Sequence, residues 1–145
     1  MAADGRPGSA GTSTKILDVA ERLVQVRGFN GFSYADVAAE LGITKASLHY
    51  HFATKADLGE ALIERYTESF GTALAVIGAS PTGALAKLDA YAALYAEVLR
   101  ADRMCLCGML AAEFQTLPAR MRTAVIAFFD QNEAWLEQVL RQGQQ

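Results

Sequence analysis

Between Ser33 and Asp57 the sequence carries three helix-start signals and one stop. Ser33-Tyr34-Ala35-Asp36 and Thr54-Lys55-Ala56-Asp57 both follow the capping-box pattern, with Asp in the place of the more usual Glu. The hydroxyl takes an orphan backbone N–H, and the acid favours the positive end of the helix dipole. Gly42 ends the first of these helices after about two turns, and Thr44 is the next N-cap, opening a helix that runs to about Phe52. A chain punctuated this closely cannot form one long rod. It must fold as short helices meeting at angles, which is the grammar of a helix-turn-helix.

The rest of the pattern is helical too. Ile16, Ala20, Leu23 and Val24 recur at i, i+4, i+7 and i+8, which predicts a helix over Thr14–Val26 that ends at a left-handed Gly28. Phe29 to Phe32 reads as a short connector. Leu58, Leu62, Ile63, Tyr66 and Phe70 mark a helix from Thr54 to about Ile77. A break at Ala79-Ser80-Pro81-Thr82-Gly83 precedes three stretches, at about Leu85–Arg100, Met104–Gln115 and Pro118–Arg141. Pro118 suits the first position of the last one. With no sustained β-alternation, the fold class is all-α. The expected organisation is a disordered arm over residues 1–13, small, polar and Gly-rich, a helix-turn-helix domain over 14–58, and a helical domain over 59–145.

Charge narrows the function. The net charge is −3, so the chain is no polycation. Its basic and acidic groups balance over residues 1–58 (Arg6, Lys15, Arg22, Arg27, Lys45 and Lys55 against Asp4, Asp18, Glu21, Asp36, Glu40 and Asp57), and the excess acid lies beyond. Nucleic-acid affinity must then come from a local patch in the first part. No run approaches the ~18 apolar residues of a membrane span, and the start lacks a signal-peptide core. Two cysteines only two residues apart fit a reducing, cytoplasmic setting.

Helical geometry assigns faces to the third helix. Thr44, Leu48 and Phe52 line up, so Leu48 and Phe52 pack inward on Val37, Leu41 and the first helix. Ala46 and Tyr50 then point outward, Ser47 and His49 flank them, and Lys45 stands at the edge. Such a small, polar and aromatic face suits the major groove: Lys reaches a guanine edge or a phosphate, Ser donates or accepts, and the Ala46 methyl meets a thymine methyl. Lys55, at a helix N-terminus, suits a phosphate. The competing reading is a polar surface helix with no partner, or one that meets protein.

The stretch "TKILDVAERLVQVRGFNGFSYADVAAELGITKASLHYHFATKADL" resembles the DNA-binding domain of the TetR/AcrR family of bacterial transcriptional regulators. The likeness runs through the first-helix pattern, Gly28, the Ser33 cap, Val37-Ala38, Gly42-Ile43, Leu48, Tyr50-His51-Phe52 and Lys55. It implies that Lys45, Ala46, Ser47, His49 and Tyr50 face the major groove, while Ser33, Thr44, His51 and Lys55 complete the DNA-binding set from the backbone side. One position departs: the family most often has Tyr where this chain has His49. The resemblance also implies a ligand-responsive regulator, most often a repressor. It would bind a palindromic operator in double-stranded DNA as a homodimer and be released by a small molecule.

In that family the later helices form a ligand-binding and dimerisation domain, and "MCLCGMLAAEFQTLP" looks like a subset of its members. The helix from Met104 is apolar nearly all round, with Cys107, Leu110, Ala111 and Phe114 on one stripe and Cys105, Met109 and Ala112 on another, so a central, buried helix is expected. Tyr91, Tyr95, Cys107, Phe114, Phe128 and Trp135 are candidates to line a pocket for an apolar or aromatic effector, with Tyr91, Tyr95, Glu113 and Gln115 as its polar groups. The alternative is that these side chains are simply core. Cys105 and Cys107 face opposite ways on a helix. This leaves no C-x-x-C redox pair, and either a buried small hydrophobe or a single thiol sensor. His49 and His51 diverge likewise, so no metal site is expected. With no catalytic set, P-loop or dinucleotide fingerprint, neither enzyme nor cofactor is expected. Relatives usually carry two further C-terminal helices that make the dimer. The chain ends before them, so the expectation is either that it is part of a longer protein or that its dimer interface is missing or unusually built.

Overall fold

Each cap written in the sequence starts a helix in the computed structural model, which describes residues 8–145. The helices are α1 (Gly8–Arg27), α2 (Tyr34–Leu41), α3 (Lys45–His51), α4 (Lys55–Ala79), α5 (Ala84–Arg100), α6 (Leu106–Ala112) and α7 (Ala119–Gly143), with 3₁₀ turns at Phe29–Gly31 and Phe114–Thr116. No strand occurs among the described residues. Ser33 and Thr54 both form complete capping boxes, with Asp36 and Asp57 accepting from the backbone N–H of the cap residue. Thr44 Oγ1 accepts from the Ser47 amide at 3.0 Å. Gly42 closes α2 in the left-handed region (φ 67°, ψ 31°), where a side chain would be strained.

The core is continuous from end to end. Ile16, Ala20, Leu23 and Val24 of α1 are buried with Val37 of α2, Leu48 of α3 and Leu58, Leu62 and Ile63 of α4. The same cluster takes in Leu106, Cys107 and Leu110 of α6 and Met121, Val125 and Phe128 of α7. Each Val, Leu, Ile, Met or Phe side chain among them contributes roughly 1.5–3 kcal/mol by leaving water. The expected division after residue 58 falls in the first turn of α4, so a single helix is common to both parts.

The structure corrects the sequence reading at four places. Gly8–Ser13, expected as part of a disordered arm, extend α1 by more than one turn. Their small residues tolerate the helix that Ile16 and Ala20 anchor, and Ser13 Oγ lies 2.9 Å from His51 Nδ1; residues 1–7 lie outside the described residues. Gly28 has positive φ but extended ψ (81°, 169°), not the left-handed helical conformation. The expected Met104–Gln115 helix is confined to Leu106–Ala112, because the chain turns at Asp102 (φ 57°) and the Met104 amide donates to the Gln25 carbonyl of α1 at 3.1 Å. Only one face of α6 is buried, leaving Gly108, Ala111 and Ala112 exposed. Finally, Pro118 is the N-cap of α7 and not its first helical residue.

Candidate nucleic-acid interface

The faces of α3 fall as its periodicity predicts. Leu48 is fully buried, and Phe52 packs partly against the core. Tyr50 is 82% exposed, and Lys45, Ala46 and His49 are exposed beside it. Ser33, Lys45, His49 and Lys55 come together around a recess of about 370 Å³, completed by Phe32, Tyr34 and Ala35. One cap residue, two cations and an imidazole therefore share a hollow where the N-termini of α2, α3 and α4 meet. This is the chemistry a phosphate needs.

Neighbouring acids already have partners within the fold. Hydrogen bonds from the Ser33 backbone and hydroxyl hold the Asp36 carboxyl below the usual carboxylate range. Asp57 is lowered likewise by the Thr54 hydroxyl and by Arg120, whose Nη2 lies 2.7 Å from Asp57 Oδ1. Glu40 is paired with Arg22. Among the described residues Lys45 enters no ion pair, so its charge faces outward.

Besides the caps Ser33 and Thr44, three of the expected DNA contacts have internal partners. Lys55 Nζ donates to the carbonyls of Phe29 and Phe32 at 2.5 Å each and lies 4.5 and 4.3 Å from the centres of their rings. Burial lowers its pKa, against the opposing pull of Glu113 and Asp36. His51 is half-buried against Ser13. His49 Nδ1 lies 3.0 Å from the Ala53 carbonyl. A carbonyl only accepts, so the ring proton sits on Nδ1, and in the neutral ring Nε2 is left as an acceptor.

Tyr34 was not legible as a functional residue, yet it holds the interface together. Its hydroxyl donates to the Phe52 carbonyl at 2.9 Å and the Thr54 carbonyl at 2.6 Å, tying the turn after α3 to α2. Burial, and then Asp57, push its phenol up to about 12. Its ring supports His49 at 4.7 Å. A Tyr just after a cap is the one available signal.

The expected effector residues divide. Tyr91, Tyr95, Phe128 and Trp135 do assemble, with Phe70 at their centre: its ring is 6.3 Å from Tyr91, 5.4 Å from Tyr95 and 5.3 Å from Phe128. Trp135 stacks on Tyr91 at 5.5 Å and donates Nε1–H to the Leu74 carbonyl at 3.0 Å. Asn132, 3% exposed, is the polar centre the sequence did not disclose. Its Oδ1 accepts from Tyr91 at 2.9 Å and Tyr95 at 3.3 Å. Cys107 is buried in the same core, and its thiol is pushed up by that burial. Phe114 lies in the second 3₁₀ turn and takes no part in these ring contacts. Gln115 is exposed. Glu113 turns away to the α1–α2 connector, accepting from the Phe29 and Asn30 amides. Cys105 is half-exposed, with the Tyr66 hydroxyl 3.5 Å from its sulfur. An open groove of about 690 Å³ runs along α7, lined by Tyr91, Phe129, Asn132, Leu136 and Leu140 among others.

Comparison with known proteins agrees with this geometry. The family model described as "Bacterial regulatory proteins, tetR family" matches residues 16–62, which hold the whole helix-turn-helix. A TetR transcriptional regulator from Legionella pneumophila is 37% identical, with a TM-score of 0.85 over 90% of this chain and 72% of that one. The chain belongs to the TetR family. A TetR-family regulator from Agrobacterium tumefaciens superposes with a TM-score of 0.89 at 31% identity, over 93% of this chain and 72% of that one. The HTH-type transcriptional repressor KstR2 of Rhodococcus jostii is 30% identical over 88 residues, or 61% of this chain and 43% of that protein. The matched stretches span between 28% and 66% of the curated relatives. The family is one of DNA-binding transcriptional regulators, and the match takes in α2 and α3 whole with the part of α1 from Ile16 onward. No described helix is long and apolar enough to cross a membrane.

Proposed function

We propose that the chain is a ligand-responsive transcriptional repressor that binds a palindromic operator as a homodimer. The observation that carries this reading is α3: seven residues, capped by Thr44, with Leu48 wholly buried and Lys45, Ala46 and Tyr50 outward. In this reading Lys45, Ala46, Ser47, His49 and Tyr50 meet base edges and nearby phosphates. Ser33 and Thr44 sit at helix N-termini facing the backbone. Lys55 and His51 act chiefly by holding the interface in shape, with a phosphate able to approach the recess beside Lys55.

A small apolar or aromatic effector would bind among the C-terminal helices, where Tyr91 and Asn132 reach the open groove from the aromatic cluster. It acts by population shift. An effector that prefers a state with α4 tilted draws the protein away from the DNA-competent state by its difference in affinity for the two. The homodimer reading draws on the twofold nature of palindromic sites, whose half-sites lie about 34–36 Å apart. It draws also on Ile126, Phe129 and Leu140, which leave apolar surface on α7 exposed.

Salt tests the reading. DNA binding through Lys45 and its neighbours must weaken steeply as ionic strength rises, because each neutralised phosphate releases counterions. Affinity for duplexes recovered from a random pool, measured across a salt series, is expected to fall on a steep log–log line. A flat line would contradict it, because binding would then neutralise no phosphates.

A further inference from the structure

The connector between α1 and α2 is held from two sides by groups far away in the chain. Its opening amides, Phe29 and Asn30, have no partner in α1, which has already closed on Gly28. Glu113 supplies one: its Oε1 accepts from Phe29 N at 2.7 Å and its Oε2 from Asn30 N at 2.9 Å. The Asn30 side chain donates in turn to Thr116 Oγ1 at 2.9 Å. The fit is close at Gly28, where an added Cβ would sit 2.2 Å from Glu113 Oε1 and would displace the carboxylate. On the other side Lys55 takes the Phe29 and Phe32 carbonyls.

The same segment makes a second attachment. Arg120, in the first turn of α7, donates to Thr54 Oγ1 at 3.2 Å and pairs with Asp57 at 2.7 Å and Glu60 at 3.3 Å. Thr54 and Asp57 form the cap of α4. Residues 113–120 thus grip the chain just before α2 and just after α3, and the helix-turn-helix lies between the two grips.

From this arrangement we infer that residues 113–120 are a clasp, and that Glu113 is the positioning residue through which the C-terminal helices set the placement of α3. A shift of α6 or α7 moves the carboxylate and the guanidinium together. The connector follows the first and the start of α4 the second. This route runs through the α1–α2 connector, in addition to any tilt of α4. It rests on reading α1–α3 as the DNA-binding unit.

Amide hydrogen exchange on the full chain tests the clasp with and without DNA. Without DNA, Glu113→Ala is expected to speed exchange at Phe29 and Asn30 by roughly tenfold or more, since two charge-assisted bonds are lost. The faster exchange should spread through Ser33–His51 and leave the C-terminal half of α4 and all of α5 at wild-type rates. Glu113→Gln should fall between, because its carboxamide oxygen still accepts one amide. Faster exchange confined to Phe29 and Asn30 would overturn the inference, and so would a uniform rise across every helix. The DNA arm uses a duplex recovered from a random pool, on which Glu113→Ala should weaken binding several-fold without changing the base preference. If the exchange pattern spreads as expected but neither protein binds any duplex, the clasp stands and the DNA reading falls.

Discussion

The Lys55 ammonium donates to the Phe32 carbonyl at 2.5 Å and lies 4.3 Å from the centre of the Phe32 ring. A cation that the sequence places at a helix N-terminus, ready for a phosphate, is thus first a strut for the connector. Lys55→Ala leaves two carbonyls without their donor, at about 1–3 kcal/mol. Chemical denaturation should show that loss of stability. DNA affinity should fall about equally on all sequences, since no base contact is removed.

Tyr50 is the converse case. It is 82% exposed, so Tyr50→Ala should leave the unfolding midpoint nearly unchanged, as surface substitutions usually do. Affinity for a selected duplex should fall about tenfold, near 1.4 kcal/mol. Equal affinity for the mutant would place the reading face elsewhere on α3.

The difference between these two residues explains what the sequence discloses. Caps are local: Ser33 answers Asp36 and Thr54 answers Asp57 within three residues, so both were legible. Leu48 and Tyr50 were legible from helical period alone. Glu113 and Lys55 were not, because the partners are 84 residues away for Glu113–Phe29 and 26 for Lys55–Phe29. A charged side chain in a sequence looks like a surface group until the fold delivers its backbone partners. The same holds for α6, where an apolar run promised a longer helix and the Met104–Gln25 bond drew its start away.

The capping carboxylates make stability depend on pH in a defined direction. Asp36 and Asp57 titrate lower in the folded chain than in the unfolded one, where an Asp titrates near ~3.9. Their contribution is therefore complete above that value and is lost as pH falls through the lowered folded values. Asp36→Asn and Asp57→Asn should each melt below wild type at neutral pH. The gap should close as the pH drops below about 4, which a series of melting curves would record.

Phe128 decides between core and pocket for the aromatic cluster. It is fully buried, with Tyr66 at 5.5 Å and Phe70 at 5.3 Å. As core, Phe128→Ala should cost about 3–5 kcal/mol and lower the melting temperature by roughly 10 °C or more. A mutant as stable as wild type would mean that this space is left for a ligand.

The central claim is that α3 reads a palindromic site as one half of a dimer. Sedimentation of the 145-residue chain, alone and with a random duplex pool from which bound sequences are recovered, tests it directly. The account predicts two chains on each bound duplex and a recovered sequence with twofold symmetry. A monomer that recovers no common sequence would contradict it.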